Sequence, residues 1–173
     1  MNRPLMLLLI PMIFALGACT LRLGPRADPF SGAVLQVREE HPLALFVQGR
    51  LLIQQARFQD ALGFFERLTQ AAPELAAGWL GLGQCQLELG EPAAAESSFG
   101  RARATVPSLE ASLGEATALA LQRQLQQAEA LADLIEEQWG QSAATYRLRG
   151  DIAFVAEDPL GAVEHYERSL QLQ

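Results

Sequence analysis

The chain has 173 residues and a formal net charge of −7, and all 13 of its basic residues are arginines. Non-specific nucleic-acid binding and basic amphipathic helices on membranes both need a positive face, so this acidic chain without lysine fits neither class. Half of the residues are hydrophobic and few are aromatic, which favours a single helical domain.

The first residues of the chain have the pattern of a signal peptide. Residues 5–16 form an apolar run that is too short for a comfortable membrane span. The run ends in Leu-Gly-Ala-Cys at residues 16–19, which resembles the lipobox of bacterial lipoproteins. The resemblance implies cleavage after Ala18 and acylation, palmitate included, of Cys19. Because Thr20 stands where an Asp would resemble an inner-membrane retention signal, we expect the periplasmic face of the outer membrane. The alternative is an ordinary signal peptide with a chance cysteine.

Residues 19–41 are expected to link the lipid to the folded domain. Glycine, proline and arginine in residues 20–29 favour a short extended tether. Ser31 is a candidate N-cap for a short helix that ends near Glu40. The apolar residues of this leading helix would cover the open edge of the domain that follows.

A pattern of small, aromatic and proline residues recurs at an interval of 34 residues. Its complete copy comprises Trp79, Leu82, Gly83, Ala95, Phe99 and Pro107. The residues 34 positions earlier are Gly49, Ala61, Phe65 and Pro73. This order and spacing resemble the tetratricopeptide repeat, a helix–turn–helix unit. The resemblance implies an all-α solenoid of about four antiparallel helix pairs, in which small residues let the two helices of a pair approach closely.

The predicted boundaries follow from this pattern. The signal peptide is residues 1–18, the lipidated tether and leading helix residues 19–41, and the repeat domain residues 42–173. The repeats are expected at about 42–74, 75–108, 109–141 and 142–173. Tyr146, Gly150, Ala162 and Tyr166 restore the pattern in the last repeat.

The third repeat is the least regular. It is expected to be one residue short, with Thr117 in place of the glycine and Gly140 in place of the closing proline. The pattern stops at Gln173, so we expect Val163 and Leu170 of the last helix to lack a cover. That end of the solenoid is a candidate dock for a partner or a second copy of the chain.

The family resemblance implies a concave groove, lined by the first helix of each repeat, that binds extended peptides or helices. The candidate groove residues, by position in the pattern, are Phe46, Arg50, Ile53, Leu80, Gln84, Leu87, Gly114, Ala118, Leu121, Arg147, Asp151 and Phe154. Family members that hold the C-terminal carboxylate of heat-shock chaperones use lysines and asparagines there. This chain has no lysine, and its single asparagine is Asn2. We therefore expect an amphipathic or extended hydrophobic segment as the ligand.

No catalytic residues are predicted. The sequence has no Gly-rich phosphate loop, no H-E-x-x-H and no G-x-S-x-G motif. Cys85 is the cysteine that remains after lipidation of Cys19, so neither a metal site nor a disulfide within the chain is expected. We expect Cys85 to be a buried structural thiol and the protein to need no cofactor.

The resulting hypothesis is a non-enzymatic, membrane-anchored repeat scaffold that binds another envelope protein. In its most specific form it is similar to the small repeat lipoproteins of pilus or secretion-system assembly, including secretin pilotins. The first alternative is an adaptor for cell-wall enzymes or outer-membrane assembly factors. The remote alternative is an enzyme.

Overall fold

The computed structural model describes residues 41–172, which form eight α-helices in four antiparallel pairs. The predicted all-α tetratricopeptide solenoid is confirmed. The first helices of the pairs are α1 (Pro42–Gln54), α3 (Ala76–Glu88), α5 (Leu109–Leu121) and α7 (Ala143–Val155). The second helices are α2 (Phe58–Ala71), α4 (Pro92–Thr105), α6 (Leu125–Trp139) and α8 (Pro159–Gln171). The signal peptide, Cys19 and the leading helix lie outside the described residues.

Each pair is joined by a tight turn whose middle residue has a left-handed backbone. The four residues are Ala56, Gly90, Arg123 and Glu157, with φ angles of 56°, 78°, 59° and 65°. After the turn, Pro92 and Pro159 start their helices at a position where a missing N–H costs nothing. A left-handed conformation is strained for any residue with a Cβ, so only the second repeat has the residue that this turn favours.

The one-residue shortening lies between the second and third repeats. Four residues, 72–75, connect α2 to α3, whereas three residues, 106–108, connect α4 to α5. The first helices therefore begin at residues 42, 76, 109 and 143. In this register the eighth residue of each first helix is Gly49, Gly83, Ala116 or Gly150, and Ala116 is fully buried. The expected register of the third repeat, with Thr117 at this place, was wrong by one residue.

One aromatic ring holds each of the first two pairs to the pair that follows. The buried ring of Phe65 lies against Gly49 of its own repeat and Gly81 of the next. The ring of Phe99 lies in the same way against Gly83 and Gly114. A Cβ at Gly49 would lie 2.7 Å from the Phe65 ring, and one at Gly114 would lie 2.5 Å from the Phe99 ring. The glycines are therefore required by contact with the rings.

The third repeat exchanges these sizes. Ala132 stands at the position of Phe65 and Phe99, and Leu148 of α7 stands at the position of Gly81 and Gly114. Both residues are 2% exposed and belong to one buried cluster with Ala116. A large residue from the following helix thus fills the volume that the aromatic ring fills elsewhere. The fourth repeat returns to the first arrangement, with Tyr166 against Gly150.

A buried ion cluster joins the third and fourth repeats. The guanidinium of Arg149, whose side chain is 19% exposed, donates to Glu136 at 2.7 Å, Asp133 at 2.7 Å and Glu129 at 3.0 Å. The hydrogen bond from Arg149 lowers the pKa of Glu136, against the opposing effects of burial and the Asp133 charge. Three carboxylates of α6 therefore depend on one cation of α7.

We expect Ala56→Gly to raise the free energy of unfolding by about 1 kcal/mol, because glycine relieves the left-handed strain. Gly90→Ala is expected to lower it by a similar amount. Urea unfolding of both variants checks this, with Gly63→Ala as the control, since Gly63 lies within α2 and a Cβ there meets no atom within 4 Å. Equal midpoints for Ala56→Gly and the wild type would contradict the turn geometry.

We expect Gly81→Leu and Phe65→Ala to compensate one another as Leu148 and Ala132 do. Gly81→Leu overpacks the ring and costs roughly 1–3 kcal/mol, whereas Phe65→Ala leaves a cavity that costs roughly 3–5 kcal/mol. The double variant should be at least about 1 kcal/mol more stable than the sum of the two losses predicts. As a control, Gly81→Leu with Ile135→Ala, which lies in a different buried cluster, should be additive. Additivity in the first pair would disprove the size exchange.

The ion cluster predicts a specific loss of stability in acid. Because the pKa of Glu136 is lower in the folded than in the unfolded state, its contribution is present above the ordinary glutamate pKa of about 4.3 and is lost as the pH falls through the folded pKa. The Glu136→Gln variant should therefore lose less stability than the wild type between about pH 5 and 3. Thermal midpoints across this range measure the difference. Glu164→Gln, an exposed residue of α8 with the same change of charge, should follow the wild type.

Candidate functional site: the concave surface

The first helices line the inner side of the helical stack. α1 contacts α3, α3 contacts α5 and α5 contacts α7, whereas within residues 41–172 no second helix contacts another second helix. Closer spacing on one side bends the stack toward that side. We call the inner side, formed by α1, α3, α5 and α7, the concave surface.

The first two repeats contribute an apolar depression of about 400 Å³ to the concave surface. Phe46, Arg50 and Leu80 line it, together with Glu110 of α5. Phe46 is fixed by an edge-on contact with the buried Phe65 ring, at 6.5 Å between centroids and 73° between planes. The Arg50 side chain is exposed. The structure thus brings three of the predicted groove residues together in one place.

Further along α3, the predicted groove residues form the floor of the concave surface. Leu80 and Leu87 pack against the buried cluster of Ala95, Phe99 and Ala118. Gln84 is partly exposed between them in sequence. The leucines are held by the core, so this part of the surface is rigid.

The one-residue error in register changes the contribution of the third repeat. Gly114 faces the Phe99 ring and Ala118 is completely buried, so neither lines the groove. The residues that correspond to Leu80, Gln84 and Leu87 are Leu113, Thr117 and Ala120. Leu113 and Thr117 are partly exposed, and Leu121 is exposed.

The fourth repeat adds charge and an exposed ring. Arg147 is exposed, and the Phe154 side chain is 70% exposed. The Tyr166 hydroxyl donates to the Asp151 carboxylate at 2.8 Å. Burial, followed by this hydrogen bond, raises the pKa of Tyr166 to about 12. Asp151 therefore has a partner within the fold, while Arg147 and Phe154 are available to a ligand.

The remaining candidates for chemistry have structural roles. Cys85 is fully buried, and burial, followed by the nearby Glu88, raises its pKa to about 11, so it is a neutral thiol at pH 7. The ring of His165 lies beside that of Tyr146, at 6.3 Å between centroids. In residues 41–172, histidine, cysteine and acidic side chains form no group that could hold a metal ion.

The helices in the described part of the chain are also too short or too polar to cross a membrane.

Val163 and Leu170 of α8 are 54% and 68% exposed, and both are on the surface of the fourth repeat. On α1, Leu43 and Val47 are similarly exposed, at 64% and 55%. The solenoid therefore presents apolar side chains on its first and its last described helix.

Comparison with known proteins agrees with this geometry. A tetratricopeptide repeat protein from Parabacteroides merdae superposes with a TM-score of 0.72 at 18% identity, over 82% of this chain and 56% of that one. A thermophilic repeat protein from Thermus thermophilus superposes with a TM-score of 0.67 at 19% identity, over 96% of this chain and 89% of that one. PilF of Pseudomonas aeruginosa superposes with a TM-score of 0.60 at 24% identity, over 78% of this chain and 62% of that one.

This chain thus spans less than two thirds of the Parabacteroides and Pseudomonas chains, and identities below 25% indicate a shared fold alone. Among curated protein sequences, none matches it. The sequence profile of the tetratricopeptide repeat matches residues 32–76, 46–108 and 80–143, which together make up more than half of the chain. The chain belongs to the tetratricopeptide repeat family.

Proposed function

We propose that this protein is a non-enzymatic scaffold that is anchored by lipid on Cys19 to the periplasmic face of the outer membrane. Tetratricopeptide repeat proteins are generally scaffolds that bind peptides or partner proteins through the repeat groove. The observation that carries the proposal is the rigid concave surface, on which Phe46, Leu80 and Leu87 present apolar area held in place by the core. Its partner is another envelope protein, in the assembly of a pilus or a secretion system.

The composition of the concave surface defines the ligand. The depression beside Arg50 and Leu80 offers an apolar floor with one exposed cation at its edge. Phe154 and Arg147 repeat this combination in the fourth repeat. An amphipathic helix or extended segment with apolar and acidic residues fits both places. Because the surface is already ordered, the ordering cost of binding falls mainly on the ligand.

The anchor is supported by the sequence Leu-Gly-Ala-Cys at residues 16–19. Each buried lipid methylene contributes roughly 0.8 kcal/mol, so several acyl chains hold a protein stably where one would not. PilF of Pseudomonas aeruginosa, which has the same fold, supports the choice of pilus or secretion-system assembly.

A site-specific crosslink tests the scaffold function. A photoreactive residue at Gln84, on the concave surface, should capture a defined envelope protein in intact cells, identified by mass spectrometry. The same residue at Gln127, which is exposed on the second helix α6, is the matched control and should capture far less. A secretin or pilus subunit would support the assembly role. Cell-wall enzymes or outer-membrane assembly factors would favour an adaptor instead, and equal capture at both positions would refute the concave surface as the binding site.

The anchor has its own test, which does not depend on the partner. Cys19→Ser should move the protein from the membrane fraction to the soluble fraction, because the acceptor for the lipid is lost. Cys85→Ser, the same substitution at a buried thiol, should leave the distribution unchanged. A Cys19→Ser variant that stays with the membrane would rule out the lipid anchor and leave the crosslinking result intact.

A further inference from the structure

A cleft of about 610 Å³ opens between the second helices α4 and α6. Its walls include Pro107, Leu131, Leu134 and Trp139, and Ser112 of α5 lies among them. Leu134 is 57% exposed and Trp139 is 36% exposed, so apolar walls of the cleft face water. This volume is in the range of sites that bind small molecules or side chains. We call it the α4–α6 cleft.

The cleft exists because the third repeat has a small residue where the others have a large one. The fourth residue of each first helix is Leu45, Trp79, Ser112 or Tyr146. Ser112 is 1% exposed, and its hydroxyl donates to the Ser108 carbonyl oxygen at 3.0 Å. The serine is therefore satisfied within the fold, and the volume that an aromatic ring would fill is left open above it.

The second repeat shows which side chain such a cleft accommodates. The Trp79 indole N–H donates to the Pro73 carbonyl oxygen at 2.8 Å. The Arg101 guanidinium lies 4.8 Å from the centroid of the Trp79 ring. The third repeat has Pro107 at the place of Pro73 and Leu134 at the place of Arg101, and both line the cleft. The same frame is present, without the tryptophan.

Two further substitutions keep this frame open. The tenth residue of the second helix is Arg67, Arg101 or Arg168 in the other repeats, but Leu134 in the third. The ninth residue, which is acidic in the other second helices, is Gly100 in α4. Among the described residues, no backbone N–H donates to the Pro107 carbonyl oxygen. The cleft thus combines an apolar wall, a small residue at its edge and an acceptor for an indole N–H.

We propose that the α4–α6 cleft binds a tryptophan side chain presented by a segment of a partner protein. The indole ring lies between Pro107 and Leu134, and its N–H donates to the Pro107 carbonyl oxygen, as Trp79 does to Pro73. Arg103, at the rim, is held by the Glu115 carboxylate at 2.6 and 3.1 Å, so an apolar ring suits the cleft better than an anion does. This site does not depend on the concave surface or on the lipid anchor.

The test is a titration of the isotope-labelled chain with N-acetyl-tryptophanamide, followed by amide chemical shifts. We expect saturable shifts at Gly100, Ala104 and Ser112, and at least five-fold weaker binding of N-acetyl-leucinamide. Leu134→Arg, which introduces the residue of the other three repeats, should weaken binding at least ten-fold without changing the thermal midpoint. Leu121→Arg is the matched control, because Leu121 is exposed to a similar extent, 51%, and should bind as the wild type does.

Ser112→Trp supplies the missing ring from within. It should raise the thermal midpoint and abolish the shifts, whereas Ser112→Ala should keep them. If Ser112→Trp does not fold, Leu134→Arg decides alone. Binding that survives Leu134→Arg would overturn the proposal, as would shifts confined to Phe46 and Leu80. Shifts that depend on protein concentration without the probe would assign the cleft to a second copy of the chain and would also overturn it.

Discussion

The stacking of the repeats depends on a single recurrent contact, an aromatic ring enclosed by glycines from two successive first helices. Phe65 lies against Gly49 and Gly81, so one side chain fixes both the crossing of its own helix pair and the approach of the next. Close-packed interiors tolerate little change in volume, so this contact leaves few alternative arrangements. It also brings the first helices together, which forms the concave surface. The proposed binding surface is therefore a consequence of how the core is packed.

The sequence predicted the repeats whose sizes follow the common pattern. Gly83, Ala95 and Phe99 recur at a fixed interval because every repeat needs the same close approach at the same place. The third repeat could not be placed in this way, for two physical reasons. The lost residue lies in the connection 106–108, where no packing contact marks the register. In addition, Ala132 and Leu148 exchange small for large, which removes the aromatic residue that identifies a repeat.

The same error hid the site that the third repeat forms. In the expected register Leu113 took the place of Trp79, and a large apolar residue there gives no reason to look for a cleft. The correct equivalent is Ser112. The ion cluster was also invisible in the sequence, since Glu129, Asp133 and Glu136 on one helix are typical of a solvated face. Only the stacking of α7 places Arg149 among them. Contacts within a repeat were thus predictable, whereas contacts between repeats needed the structure.

A ligand in the α4–α6 cleft would act on the fold at its most irregular interface. In a solenoid each repeat contacts only its neighbours, so stability is passed from one interface to the next. Phe99 and the Arg103–Glu115 pair join the second repeat to the third, but Ser112 contributes no ring to that interface. A bound indole would contact α4 and α6 together and add the missing apolar contact. Because a ligand that binds only the folded state stabilises it in proportion to its occupancy, a partner at the cleft would also strengthen the stack that carries the concave surface.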